Sequence, residues 1–202
     1  MLKIFPFISI VDVIADAAVL SPLKKPKEGR APAAAVPSIF TELKYNLIVA
    51  AVTSGVDAKS NIFNNTRTGG TGNHYAIGNN YGNGVSSATG WSAGASNNNA
   101  LNSASAATIG YWNTATTFAA WKTASACDAL SISGYPVTFV ASPTGNLHLN
   151  MGVTPTPMES GGANGTGIIV DYDLDARPGP AGSVNGGAMA PDMGADEFDG
   201  VP

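Results

Sequence analysis

Cys127 is the only cysteine in the 202 residues. One thiol cannot form an internal disulfide or a zinc cluster of several thiolates, and a solitary cysteine reads as a small buried apolar residue before it reads as a nucleophile. Histidine is nearly as scarce, with His74 and His148 alone; each reads first as a hydrogen-bonded structural group. Charged residues make up only 12% of the chain, and they are unevenly placed. Residues 1 to 60 hold seven of the ten basic residues against five acids. The remainder has Arg67, Lys122 and Arg177 against nine acids. Such an acidic body repels phosphates, so nucleic acid is excluded as a partner, while divalent cations are not. A long uninterrupted apolar run is also missing. Met1 to Leu20 is apolar but broken by Pro6, Asp12 and Asp16, so no transmembrane segment is expected.

What the chain has instead is turn chemistry: 24 glycines and 13 prolines, with abundant Asn, Ser and Thr. Short strands between frequent turns fit this better than long helices, and 44% hydrophobic residues argue for a folded core in one domain of ordinary size. Residues 1 to 20 read either as a signal peptide, with Ala15-Asp16-Ala17 as its small-x-small site, or as an N-terminal cap. Residues 21 to 44, rich in Lys, Pro and Ala, read as a linker or exposed loop. From Tyr45 strands begin: Leu47 to Val52, Val56 to Phe63 with a slip in period at Ser60-Asn61, and His74 to Ile77. The slip suits a corner at which an inward asparagine bonds the backbone. Coils of about 20 to 25 residues would suit stacking, although no repeat is clean enough to count. Asn79 to Ser105 reads as a long surface loop, Ile109 to Trp112 as a strand, and Thr116 or Thr117 as the cap of a brief helix with Phe118 and Trp121 on one side. Val137 to Val140 returns to strand. In Asn146-Leu147-His148-Leu149-Asn150 the alternation puts Leu147 and Leu149 on one face and His148 on the other. A glycine-rich turn, Gly161 to Gly167, leads to a further strand candidate at Ile168-Ile169-Val170.

The closing order is Asn-Leu-His-Leu from Asn146, a glycine-rich spacer, Asp-Tyr-Asp-Leu-Asp-Ala-Arg-Pro from Asp171 and Pro-Asp-Met-Gly-Ala-Asp-Glu-Phe from Pro191. It resembles the end of secreted bacterial right-handed parallel β-helix proteins, and is similar in particular to the choice-of-anchor Q domain. The likeness extends upstream through Asn61 to Thr66, Gly69 to Ile77 and Tyr111-Trp112 to Asp128 to Ile132, covering roughly Tyr45 to Gly200. Leu174 stands where that family more often has glycine. The resemblance implies an all-β fold: right-handed parallel β-helix coils over residues 45 to 200, with an irregular acidic C-terminal cap. It further implies a secreted or cell-surface module for adhesion or carbohydrate binding, whose partner is a polysaccharide or cell-envelope component.

Three constellations carry candidate chemistry. Gly90-Trp91-Ser92-Ala93-Gly94 has the Gly-x-Ser-x-Gly form of a nucleophile turn, and Ser92, Asp128 and His148 follow in the order of a hydrolase triad. No buried strand precedes Gly90 and a poor helical turn follows it, so the match also reads as chance in a chain rich in glycine and serine. Asp171, Asp173 and Asp175 recur at every second position; in extended chain their carboxylates point the same way, which calcium or Arg177 could offset. The bland alternative is a solvated turn. Trp91, Tyr111, Trp112 and Trp121 could form a sugar-stacking surface, although Trp112 and Trp121 read first as core. Asp196 and Glu197 are adjacent, so strand geometry would send them to opposite faces and a structural role is favoured over paired acid and base work on a glycosidic bond. The function reading is thus a binding module. The alternative is a hydrolase, either a calcium-assisted polysaccharide lyase or glycosidase, or a serine esterase or lactonase using Ser92.

Overall fold

The structure, a computed structural model, describes residues 2–4, 45–49, 56–79, 85–87, 94–135, 137–150, 157–179 and 190–198. Residues 5 to 20 of the expected signal peptide or cap, the whole of the linker at 21 to 44, and the Gly90 to Ala93 part of the serine motif lie outside them. The elements are almost all short strands. They run β1 (Leu2–Ile4), β2 (Tyr45–Val49), β3 (Val56–Lys59), β4 (Ile62–Asn65), β5 (Tyr75–Asn79), β6 (Ser96–Asn97), β7 (Ala100–Ser103), β8 (Gly110–Trp112), β9 (Thr114–Thr116), helix α1 (Phe118–Ser125), β10 (Phe139–Ala141) and β11 (Asn146–Leu149). Short 3-10 turns cover Ala106–Thr108 and Ser142–Thr144.

Pairing is dominated by parallel neighbours. β1, β3 and β6 form one parallel sheet; β4 pairs with β7; β2, β5 and β8 form a third, closed on its far edge by antiparallel β9. The consecutive strands β3, β4 and β5 are therefore matched in the same order by β6, β7 and β8. A parallel bridge from Ala100 to Ile132 and a bond from the Asp128 amide to the Ser96 carbonyl carry two of these sheets one segment further. β10 and β11 make a separate antiparallel pair.

What turns the chain between β3 and β4 is the corner at Ser60-Asn61. Ser60 takes a φ of 60°, and the buried Asn61 donates from its side-chain amide to the Lys59 carbonyl at 2.9 Å. The corner repeats. The Asn61 backbone amide donates to the side-chain oxygen of Asn99, 38 residues on, and the Asn99 amide donates to the Ser131 hydroxyl 32 residues after that. The spacing exceeds the coil of 20 to 25 residues expected from composition. Long excursions such as the helix between β9 and Cys127 account for the extra length.

Two apolar clusters flank this polar column. One gathers Val56, Phe63, Ile77, Leu101, Ile109 and Trp121 with Cys127; the other joins Ile62, Ala100 and Leu149 to Met158 and Met193. Helix α1 starts where expected. The Thr117 hydroxyl accepts from the Ala120 amide, and Ala126, at a φ of 54°, ends the helix. Trp121 is fully buried, with Phe118 and Trp112 packed beside it.

Two expectations fail here. Within the region read as a surface loop, residues 96 to 103 form β6 and β7, and Ser96, Asn99 and Asn102 are buried. Polar composition misled because these side chains satisfy backbone groups inside the fold rather than meeting water. Ile168 to Val170 is not a strand: Val170 makes one bridge, to Ala176, and Ile169 is 75% exposed.

Asp128 ties the layers together. Its side chain is fully buried and accepts from Trp121 Nε1 at 2.7 Å, Ser131 Oγ at 2.7 Å, Ser96 Oγ at 2.9 Å and Asn99 Nδ2 at 3.1 Å. Asp128→Ala would take an acceptor from four buried donors, of which Asn99 Nδ2 keeps the Ala58 carbonyl, so a loss of about 3 to 5 kcal/mol in unfolding free energy by urea titration is expected. Trp121→Phe keeps most of the ring and removes one donor; about 1 to 2 kcal/mol is expected.

Candidate functional site

The C-terminal third is organised by carboxylates that accept from backbone amides. Asp171 is buried: one oxygen accepts from the amides of Asp173 and Asp175 at 2.9 and 2.8 Å, and the other from the Glu197 amide at 2.9 Å. Asp192 accepts from the amides of Ser160 and Phe198, at 2.6 and 2.7 Å. Glu197 accepts from the amides of Asp192 and Gly179, at 2.9 and 3.1 Å. Arg177, 7% exposed, donates to the carbonyls of Gly194 and Asp192 and pairs through Nε with Glu197 at 2.8 Å. The 190–198 segment thereby docks on the strands, its Gly194 amide reaching the Ser60 carbonyl at the first corner. Gly162 is required where it meets this segment: a Cβ there would stand 2.6 Å from the Pro191 carbonyl oxygen.

The three aspartates read as a calcium loop therefore do not act as one set. Asp171 is turned inward as a turn cap, while Asp173 and Asp175 remain exposed. The turn bends the chain, so the extended-strand premise that aligned the three carboxylates does not hold. Arg177 answers Glu197 rather than the aspartates. At the tip of the turn, Leu174 takes a φ of 76° and is 77% exposed.

The hydrolase triad is not assembled either. Ser92 and Trp91 lie outside the described residues. Asp128 is enclosed by Trp121, Ser96, Asn99 and Ser131, whereas the ring nitrogens of His148 face Asn146 and Asp173. A triad needs its histidine on its aspartate, and here the two face different partners. Tyr111 and Trp112 are half-buried and held edge to face, Tyr111 against Tyr75 with centroids 5.7 Å apart and Trp112 against Trp121 at 5.9 Å. They are packing residues, as the core reading of Trp112 anticipates. Among the described residues the most exposed ring is Tyr172, at 68%, beside Asp173.

What the fold does bring together is His148, Asp173 and Asp196. Ligand-type atoms of all three lie within 4.8 Å of one another, and His148 Nε2 meets Asp173 Oδ2 at 2.5 Å. The alternation of β11 works as predicted: His148 stands out while Leu147 and Leu149 line the apolar side. That side is the floor of a shallow cleft of about 20 Å³, bounded by Ile62, Phe139, Met193 and, at its polar edge, Asp196. The hydrogen bond to Asp173 is the main cause raising the His148 pKa above its usual 6.5. Burial raises that of Asp196. Sequence reading named His148 and Asp173 but not Asp196 as their companion. The signal available was only the recurrence of acids near the end, since nothing local places residue 196 beside residue 148.

No protein-family model matches the chain, and neither does any curated protein or solved structure. No helix among the described residues is long and apolar enough to cross a membrane.

Two outcomes follow from the electrostatics and the backbone. Burial pushes the Asp192 carboxyl up to about 7, and burial also raises Glu197 and Asp196. A carboxyl whose pKa is higher folded than unfolded binds its proton more tightly in the native state, so stability falls as pH rises from the unfolded pKa, about 4, through the folded one. His148, also raised, acts in the same direction, its stabilisation being lost as pH climbs through its folded pKa. The melting temperature is therefore expected to be higher at pH 5 than at pH 8, and Asp192→Asn to reduce that difference. At Leu174, glycine relieves a left-handed backbone without loss of burial, and Leu174→Gly should stabilise by roughly 0.5 to 1 kcal/mol in a urea titration.

Proposed function

We propose that this chain forms coils of a right-handed parallel β-helix with an irregular acidic cap, serving as a secreted or cell-surface module that binds a polysaccharide or cell-envelope component. The observation that carries the reading is the matching of β3, β4 and β5 by β6, β7 and β8, in parallel and in the same order, with a column of asparagine and serine at the shared corner. Stacking of this kind buries successive segments on one another and leaves a long lateral face for an extended ligand. The backbone at Leu174, which adopts a glycine-like φ of 76° where the resembled family more often has glycine, fits the same reading.

The contact residue is Tyr172, in the turn capped by Asp171, rather than Tyr111 or Trp112. An exposed ring can lie on the apolar face of a pyranose, while Asp173 beside it accepts from sugar hydroxyls. The alternative is a polysaccharide lyase or glycosidase. The proximity of Asp173 and Asp196 favours it, because retaining hydrolysis uses two carboxyl groups about 5 to 5.5 Å apart.

A glycan array and pull-downs from bacterial envelopes test the binding reading. Retention on at least one polysaccharide is expected, with Tyr172→Ala weakening it roughly five- to tenfold, the worth of one aromatic contact. Tyr111→Ala and Trp112→Ala should lower the melting temperature instead. No binding in either assay removes the reading. Release of new reducing ends or unsaturated uronates from a bound polysaccharide moves it to the enzyme.

A further inference from the structure

His148, Asp173 and Asp196 come from three different segments: strand β11, the turn capped by Asp171, and the docked C-terminal segment. Each is positioned by groups other than the cluster itself. The Asp173 amide is held by Asp171, and the Leu149 amide, next to His148, donates to the Asp196 side chain. The orientation of the imidazole matters most. Asn146 Oδ1 accepts from the His148 backbone amide at 3.2 Å, which identifies that atom as the oxygen, and it lies 2.6 Å from His148 Nδ1. Nδ1 therefore carries a hydrogen and donates it to Asn146. In the neutral ring the remaining nitrogen, Nε2, then presents a lone pair, and it is aimed at the Asp173 carboxylate. In that neutral state three acceptors converge, and either a proton on Nε2, as in the His148–Asp173 hydrogen bond, or a metal ion must lie between them. Arg177 does not take that place, being held by Glu197 and two carbonyls.

A histidine fixed through its distal nitrogen, with the other turned to two carboxylates, is the arrangement by which proteins hold divalent transition metals. We infer that His148 Nε2, Asp173 and Asp196 form a binding site for a divalent transition-metal ion, zinc or manganese rather than calcium. The imidazole sets this preference, since calcium takes oxygen ligands throughout while zinc and manganese accept mixed nitrogen and oxygen donors. The fit needs a small adjustment. Two ligands on tetrahedral zinc stand about 3.3 Å apart, so the His148–Asp173 contact must open by roughly 1 Å and Asp196 must close in. The side chains of His148 and Asp173 are 40% and 44% exposed, which leaves them room to do so. Three protein ligands leave at least one coordination position for water or a ligand atom. This site does not depend on the β-helix reading or on carbohydrate binding.

The test is titration of EDTA-stripped protein with zinc, manganese or calcium chloride, followed by calorimetry, thermal shift and the imidazole proton resonances. With only His74 and His148 in the chain, each resonance is assignable by one variant. Zinc is expected to bind one to one at micromolar or tighter affinity and to shift the His148 signals while His74, whose Nε2 faces the Gly69 carbonyl, stays put. At a hundredfold excess over Kd the melting temperature should rise by roughly 5 to 10 °C. His148→Gln and Asp196→Asn should each weaken zinc at least tenfold, and calcium should bind at least tenfold more weakly than zinc. Should His148→Gln fail to fold, Asp196→Asn and the wild-type resonances decide the matter. The site is refuted if neither zinc nor manganese moves the His148 signals, or if zinc affinity is unchanged in Asp196→Asn, which would mark the ion as adventitious.

Discussion

Four hydrogen bonds converge on Asp128, and the stacked strands depend on them. A parallel arrangement of short strands leaves polar groups at every corner, and a corner facing the interior cannot use water. Here the difficulty is met by a continuous column: Asn61 bonds Asn99, Asn99 bonds Ser131, and Asp128 gathers Asn99, Ser96, Ser131 and the indole of Trp121. The indole links this column to the apolar cluster, since Trp121 belongs to both. Removing the carboxylate would disturb the polar spine and the position of the helix together.

The same economy governs the acidic C-terminal third. Its many carboxylates suggest a charged surface suited to cations or catalysis. Three of them are instead backbone acceptors: Asp171, Asp192 and Glu197 together receive seven amide hydrogens. They substitute for the ladder bonds that an irregular segment lacks. After these roles are assigned, His148, Asp173 and Asp196 stand out because their ligand-type atoms meet one another rather than the backbone alone. Chemistry on this molecule is therefore sought where the edge of the β10–β11 pair meets Asp173 and Asp196.

Local signals in the sequence were legible. The alternation around His148 predicted strand β11 and its two faces; the break in period at Ser60-Asn61 predicted a corner with an inward asparagine; and of the two threonines offered as the helix cap, Thr116 and Thr117, the second is the cap. Each rests on residues within a few positions of one another. The strands β6 and β7 were misread because Ser96 and Asn99 are buried only by virtue of Asp128 and Ala58, about 30 to 40 residues away, and polar composition alone suggests a loop. The role of Asp171 was hidden for a similar reason. Spacing at every second residue describes an extended chain, and only the bond to the Glu197 amide, 26 residues on, reveals a turn. Asp196 could not be joined to His148 without the docking of the final segment.

The claim on which the account rests is that the polar column is the rigid spine of the fold. Native-state hydrogen exchange reads this directly, residue by residue. The account predicts that the backbone amides of Asn61, Asn99, Ala100, Asp128 and Ile132, all bonded within or beside the column, exchange most slowly, at the rate set by global unfolding. Exchange at these amides as fast as in the exposed Ala104 to Ala107 stretch would contradict it.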